Sequence, residues 1–286
     1  MLTWPVLGPA LVGVWLLIWK PRKVPGAAPK KTLLLGHRGA RFGPDAGSEN
    51  SLGAFRTALD AGLDGVETDL QTTRDGSIVL YHDYELPDGR RVASLTCAEL
   101  RAADPAIATL PDLFALAHGY PGTLLNLELK TRGWRTGGLE RAAAQAVRAS
   151  GLEERVLVSS FNPLSLARLR LYAPELRAAL LTSPDGPRWL RGDRAARFWM
   201  RALHLDALHP HFSAVDAALV GWARQRRVTL NTWTVNNEAE VKRLTRLNVN
   251  GLMADDPAAL KNAYEEALWS PDPNPRPRRR DRPIVR

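Results

Sequence analysis

The sequence predicts an α/β protein built as a single (β/α)8 barrel, and three observations carry that expectation. From Thr32 onward, short β-rich runs alternate with amphipathic helical stretches, the pattern of parallel βα units. The alternation persists for about 235 residues, the size of one such barrel. No Gly-x-Gly-x-x-Gly follows the first strand, which argues against a doubly wound open sheet, the nearest alternative. The hydrophobic share of 45% and charged share of 24% are those of an ordinary globular chain.

The expected strands, in order, are Thr32–Gly36, Gly65–Leu70, Ser77–Tyr81, Leu124–Leu129, Val156–Ser160, Ala178–Leu181, Ala207–Pro210, Val228–Trp233 and Gly251–Ala254. Helices are expected over Ser51–Ala61, Leu110–His118, Leu139–Ser150, Pro163–Leu171, Ala214–Arg226 and Asn237–Leu247. Asn162 before Pro163 supplies an N-cap followed by Pro at the first helical position. Nine strands are one too many for the barrel. Asp75-Gly76 marks a turn, and the gap between the second and third strands is too short for a crossover helix. One strand of that pair is therefore expected to be irregular or antiparallel.

The termini differ from the middle. Leu2 to Trp19 is an apolar run without a charged residue, near the lower length limit for spanning a bilayer, with Trp4, Trp15 and Trp19 near its edges. It is read as an uncleaved transmembrane anchor over residues 1–19, with a cleaved signal peptide as the alternative. Residues 20–31 form a basic Pro/Gly linker, 32–268 the barrel, and 269–286 a disordered Arg/Pro-rich tail. The expected location is thus a single-pass membrane protein held by its N-terminal helix and basic flanks. The positive-inside rule places the barrel on the cytoplasmic side.

The formal charge of +9 belongs to the ends. Lys20, Arg22, Lys23, Lys30 and Lys31 precede the first strand with no acidic neighbour, and a surplus of arginine follows residue 270. Residues 32–270 are formally neutral, so the core carries no nucleic-acid groove. The single Cys97 excludes an internal disulfide and argues against a thiolate zinc site. Oligomeric state is not legible.

Chemistry concentrates at the expected carboxyl ends of strands, where barrels of this kind place their catalytic groups. Glu67 and Asp69 alternate along one strand and so share a face. Two carboxylates on one face hold a cation or repel each other. Glu128 and Lys130 repeat the arrangement, and His37-Arg38 and His82 close other strands. The pattern reads as a metal-dependent hydrolase with two histidines for proton transfer. An all-oxygen ligand set favours Mg²⁺ or Ca²⁺. Arg38, with its planar fork, and Lys130 are candidates for holding an anionic phosphate.

Gly36-His37-Arg38-Gly39, Glu49-Asn50-Ser51, Val66-Glu67-Thr68-Asp69, Asp75-Gly76, His82-Asp83, Glu128-Leu129-Lys130, Ser160-Phe161-Asn162-Pro163 and Trp233-Thr234-Val235-Asn236 form one ordered set. Over residues 32–260 the chain resembles the glycerophosphodiester phosphodiesterase family. The resemblance implies a TIM barrel of the phospholipase C-like phosphodiesterase type. It also implies a divalent cation and hydrolysis of glycerophosphodiesters to sn-glycerol 3-phosphate and an alcohol. It makes Glu67, Asp69 and Glu128 the metal ligands and His37 and His82 the general base and acid.

Some positions keep two readings. Glu128 and Lys130 either serve the site or pair with each other. Glu49 orients His37 or the metal shell, or caps the helix near Ser51. Phe161 and Trp233 line a substrate pocket, or Trp233 packs at the barrel end. The chain departs from the family pattern at Tyr84–Arg91 and Asn250–Asp255, two stretches expected to line the mouth without touching the core ligands. Headgroup preference is therefore open. A lysophospholipase D acting on lipid phosphodiesters is the near alternative, and an inactive membrane-anchored binding protein the alternative of another class.

Overall fold

The computed structural model describes residues 18–24, 26, 31–43, 48–133, 137–187 and 190–269. Eight parallel strands close into a ring in the order β1 (Leu33–His37), β2 (Gly65–Thr72), β4 (Leu124–Leu129), β5 (Val156–Ser160), β6 (Arg177–Thr182), β7 (Ala207–Pro210), β8 (Thr229–Thr232) and β9 (Gly251–Ala254). β9 pairs back onto β1 to complete it. The short β3 (Ile78–Leu80) lies outside the ring, antiparallel to β2, with Leu70 opposite Leu80 and Thr72 opposite Ile78. It is the expected ninth strand, and it is antiparallel because the Thr73–Ser77 turn leaves no chain for a crossover.

Alternation along the strands sorts side chains into two layers. On β4, Leu125, Leu127 and Leu129 pack outward under the helices, while Leu124 joins Leu33, Leu35, Leu157, Ala179, Ala207 and Met253 inside the barrel. Asn126 and Glu128 share the inward face with Leu124. On β2, Val66 and Leu70 pack outward, which leaves Glu67 and Asp69 inward.

The outer helices are α1 (Leu52–Asp60), α2 (Cys97–Ala103), α3 (Leu110–His118), α4 (Leu139–Ser150), α5 (Pro163–Tyr172), α6 (Gly192–Ala202), α7 (Ala217–Arg226), α8 (Glu238–Leu247) and α9 (Pro257–Trp269). Their starts follow capping chemistry. Ser51 accepts from Ala54 N–H, Asn162 from Leu164 N–H, Asp216 from Leu219 N–H, and Asn237 from Ala239 and Glu240. Three of these helices go beyond the expected set. α2 begins with a Thr96–Glu99 capping box, and α9 begins at Pro257 directly after Asp256, whose carboxylate accepts from Ala259 N–H at 3.0 Å. α6 starts on Gly192 with no side-chain cap, so no capping residue announces it.

At the amino-terminal end of the strands the barrel has a floor. Arg22 clamps Asp206 through Nε at 3.0 Å and Nη2 at 2.8 Å, and Arg170 adds a contact at 2.6 Å. Val24 is fully buried within the interior cluster.

The structure does not bear out the membrane anchor. Residues 1–17 of the expected anchor lie outside the described residues, as do 270–286 of the expected tail. Among the described residues no helix is long and apolar enough to cross a membrane. Trp19, expected at a bilayer interface, is instead buried in the outer core. Its indole N–H donates to Leu205 O at 2.9 Å, and its ring stacks on Trp222 at 6.4 Å. An indole satisfied inside the protein has no reason to seek a lipid headgroup layer.

Candidate active site

β1 delivers His37 to the mouth and then turns sharply. Arg38 takes a left-handed conformation with φ of 55°, and Gly39 follows at φ 87°. A Cβ on Gly39 would approach the Ala54 backbone to 2.7 Å, so only glycine fits against α1. The turn aims the Arg38 backbone N–H at Glu67 Oε2, 3.0 Å away, and its carbonyl accepts from Asn50 N–H at 2.9 Å.

Glu67, Asp69 and Glu128 are all buried, and one carboxylate oxygen from each lies within 4.8 Å of the others. This is the one such cluster among the described residues. Lys130 Nζ stands 3.4 Å from Asp69 and 3.2 Å from Glu128, and Arg38 Nε is 3.3 Å from Asp69. Asn50 Nδ2 donates to Asp69 at 3.0 Å, while its Oδ1 accepts from Thr68 Oγ1 and Asp69 N–H. Against the burial that pushes it up, Asp69 is drawn below the usual carboxylate range by Lys130, Arg38 and His82. Glu67 goes the other way. Burial, then Asp69 and Glu128, hold its carboxyl well above the usual range. Burial likewise pushes Glu128 up to about 7. Three buried acids with two side-chain cations between them leave uncompensated negative charge, which a hard cation on all-oxygen ligands neutralises. The donor set therefore fits a divalent ion of the Mg²⁺ or Ca²⁺ type.

His37 is oriented from behind. Its Nδ1 lies 2.7 Å from Asp255 Oδ1, and its Nε2 lies 3.8 Å from Glu67 Oε2. Although burial raises it, Asp255 is held down at about 2 by His37, the Asn236 amide and Arg41. An ionised Asp255 only accepts, so Nδ1 donates and Nε2 faces the carboxylates. Sequence reasoning missed this residue. It expected Asn250–Asp255 to line the mouth away from the core ligands, whereas Asp255 grips His37 directly. The available signal was position, an aspartate just past the carboxyl end of β9. Asn50, on Asp69, and Asn236, on Asp255, likewise hold site carboxylates through contacts no local signal announces.

His82 follows β3 and bonds Asp83 Oδ1 through Nδ1 at 2.7 Å. Burial lowers its pKa, partly offset by Asp69 and reinforced by Lys130 and Arg38. Gln71 fastens this loop by donating to Tyr81 O and Asp83 O. Glu49 does not cap α1, which is capped by Ser51. It binds Arg38 at 3.0 Å and Arg41 at 2.7 Å, and Arg41 reaches on to Asp255. Phe161 and Trp233 meet edge to face at 5.4 Å, and the Trp233 indole donates to His209 O. His37, Arg38, Glu67, Asp69, Glu128 and Lys130 thus come together in one contact network, His82 feels the charge of Asp69, Lys130 and Arg38, and Phe161 and Trp233 pack on each other.

Comparison with known proteins agrees with this geometry. Residues 37–259 match the model of the glycerophosphoryl diester phosphodiesterase family. A glycerophosphodiester phosphodiesterase of Caldanaerobacter subterraneus subsp. tengcongensis is 31% identical over 249 residues, 81% of this chain and 97% of that one. Another from Bacillus altitudinis is 27% identical over 257 residues, 82% and 99% of the two chains. The crystal structure of a putative glycerophosphoryl diester phosphodiesterase from Silicibacter pomeroyi superposes with a TM-score of 0.74 at 26% identity, covering 84% of this chain and 95% of that one. An Oleispira antarctica phosphodiesterase, solved with its product sn-glycerol-3-phosphate, shares the fold with a TM-score of 0.67 at 24% identity over 82% and 96% of the chains. The chain belongs to the glycerophosphoryl diester phosphodiesterase family and is an enzyme of that hydrolase class.

Proposed function

We propose that the enzyme hydrolyses glycerophosphodiesters to sn-glycerol 3-phosphate and an alcohol, with Glu67, Asp69 and Glu128 holding a divalent cation and His37 and His82 moving protons. The observation that carries this reading is the buried triad of carboxylates within 4.8 Å, with His37 Nε2 3.8 Å from one of them. Support for the product comes from the Oleispira relative, whose bound product is sn-glycerol-3-phosphate.

When bound, a divalent cation supplies charge neutralisation to the phosphate and to the alkoxide that forms. The residues do the rest. Asp255 fixes the His37 tautomer so that Nε2 accepts a proton from the nucleophile, either water or the glycerol hydroxyl adjacent to phosphorus. In the second case a cyclic phosphate forms first, and water then opens it. His82 gives its proton to the departing oxygen, a task suited to an imidazole whose lowered pKa loosens its hold on that proton. Over either route one water adds across the P–O bond, its hydrogen going to the alcohol and its hydroxyl to phosphorus. Arg38 and Lys130, set among the acids by their ion pairs, add positive charge around the phosphate. Phe161 and Trp233 wall the mouth.

Release of choline from glycerophosphocholine, followed with Mg²⁺, Ca²⁺ or EDTA, tests the reading. Turnover should require a divalent ion. Undiminished activity in EDTA would overturn the metal site, and absence of turnover with every cation would overturn the activity.

A further inference from the structure

The stretch Tyr84–Arg91, where the chain departs from its family's pattern, begins two residues after His82, which keeps the two backbones within about 7 Å. Gln71 fixes the approach to this stretch through Tyr81 O and Asp83 O, and Val92 N–H donates to Tyr84 O at 3.0 Å. Burial raises the pKa of the Tyr84 phenol, and the charges of Lys130, Arg132 and Glu128 act on it. The ring therefore stands beside the carboxyl end of β4, which carries Glu128 and Lys130.

Arg132 reaches that ring from β4. Lys130 N–H donates to Leu70 O at 3.1 Å, so the ladder with β2 runs one residue past Leu129. Thr131 then turns outward to α5, sharing a 2.6 Å hydrogen bond with Ser165 and accepting from Asn162 Nδ2 at 3.2 Å. Alternation returns Arg132 to the side of Lys130. Its guanidinium carbon lies over the Tyr84 ring, 3.9 Å from the centroid. Stacking occupies the face of a guanidinium and leaves N–H donors at its rim for other acceptors.

Arg132 differs in its partners from the other cations of the site. Arg38, Arg41 and Lys130 are each ion-paired with carboxylates. The acids around Tyr84 are engaged as well, Asp83 with His82, Glu85 with Arg91 and Asp88 with Arg90. Among the described residues the exposed Arg132 forms no ion pair. A guanidinium held in place by a ring, with its rim open to solvent, suits an anion that the protein itself does not supply. We propose that Arg132, braced on Tyr84, receives an anionic group, carboxylate or phosphate, carried by the departing alcohol of the substrate. The departing alcohol is the part concerned because His82, the proposed donor of its proton, lies two residues from Tyr84. A cationic headgroup would meet a like charge there. This inference rests on the phosphodiesterase reading given above.

The test compares kcat/KM of the full chain, with its activating cation, on three glycerophosphodiesters whose departing alcohols are ethylene glycol, glycolate and 2-phosphoethanol. The readout is the ratio of each anionic substrate to the neutral one, compared between proteins so that differences in leaving-group reactivity cancel. For at least one anion, Arg132→Gln should lower that ratio about fivefold, the scale of an exposed ion pair. Tyr84→Leu, which removes the ring beneath the guanidinium, should lower it by a smaller factor, and Tyr84→Phe should keep it. In wild type the same ratio should fall about twofold or more between roughly 0.05 M and 0.5 M salt. A ratio that moves for one anion alone upholds the inference and identifies the group as carboxylate or phosphate. Ratios unmoved by Arg132→Gln, including a parallel fall on all three substrates, overturn the inference while turnover of the glycol ester upholds the phosphodiesterase reading. No turnover of any of the three by wild type overturns that reading and this inference together.

Discussion

Asp206 at the floor of the barrel and Glu67 at its mouth are both almost wholly buried carboxylates, 1% and 3% exposed. At the floor, two guanidinium groups and the Ala178 backbone N–H converge on one acid, and Arg22 with Arg170 draws its pKa below the usual range despite burial. At the mouth, three acids share two side-chain cations, and burial with mutual repulsion drives Glu67 up. The floor is electrostatically complete and ties the N-terminal segment to the ring. The mouth is incomplete in the sense that suits a cation and an anionic ester. Burial alone therefore does not mark a functional acid; burial without full compensation does.

Breaking the mouth should cost activity and spare the fold. His37→Ala and His82→Ala are each expected to lower kcat about 10²–10⁴-fold, with little change in the thermal unfolding midpoint. Breaking the floor should do the reverse. Asp206→Ala leaves Arg170 buried without its partner and should destabilise the protein by about 3–5 kcal/mol in denaturant titration, with activity per folded molecule retained. Glu67→Gln sharpens the contrast. It should weaken cation activation roughly tenfold or more, while the EDTA-treated variant unfolds at the same temperature as wild type or higher, because an acid whose ionisation the folded state opposes has become a neutral amide. Asp255→Asn should cost about tenfold in kcat, less than loss of His37, because the imidazole loses its orienting acceptor but remains.

The smallest effect is in pH. Asp206 is depressed in the folded state, so its contribution is present above the ordinary value of 3.8 and is lost as pH falls below it toward the folded value. Wild type should lose more stability than Asp206→Asn between about pH 5 and pH 2. Equal losses in the two proteins would remove Asp206 from the account.

Much of this was legible in the sequence. Period-two alternation placed Glu67 and Asp69 on one face, and the short Asp75-Gly76 connection required one strand of that pair to be irregular or antiparallel, which β3 is. His37, Arg38, Glu128 and Lys130 were found because strand ends are where a barrel presents side chains. What was missed depends on distance along the chain. Asp255 lies 218 residues from His37, and nothing local to either announces their 2.7 Å contact. The apolar run ending at Trp19 carries the composition of a membrane span, and composition does not reveal that Leu205, 186 residues away, satisfies its indole.

By itself, then, the sequence determined the barrel, the inward carboxylates and the two histidines, because each rests on a short-range rule of alternation, spacing or capping. Which acids are compensated, and which carboxylate orients His37, emerge only when the ring closes. Those properties depend on which side chains the closing of the ring brings together and on how much water it removes from around them.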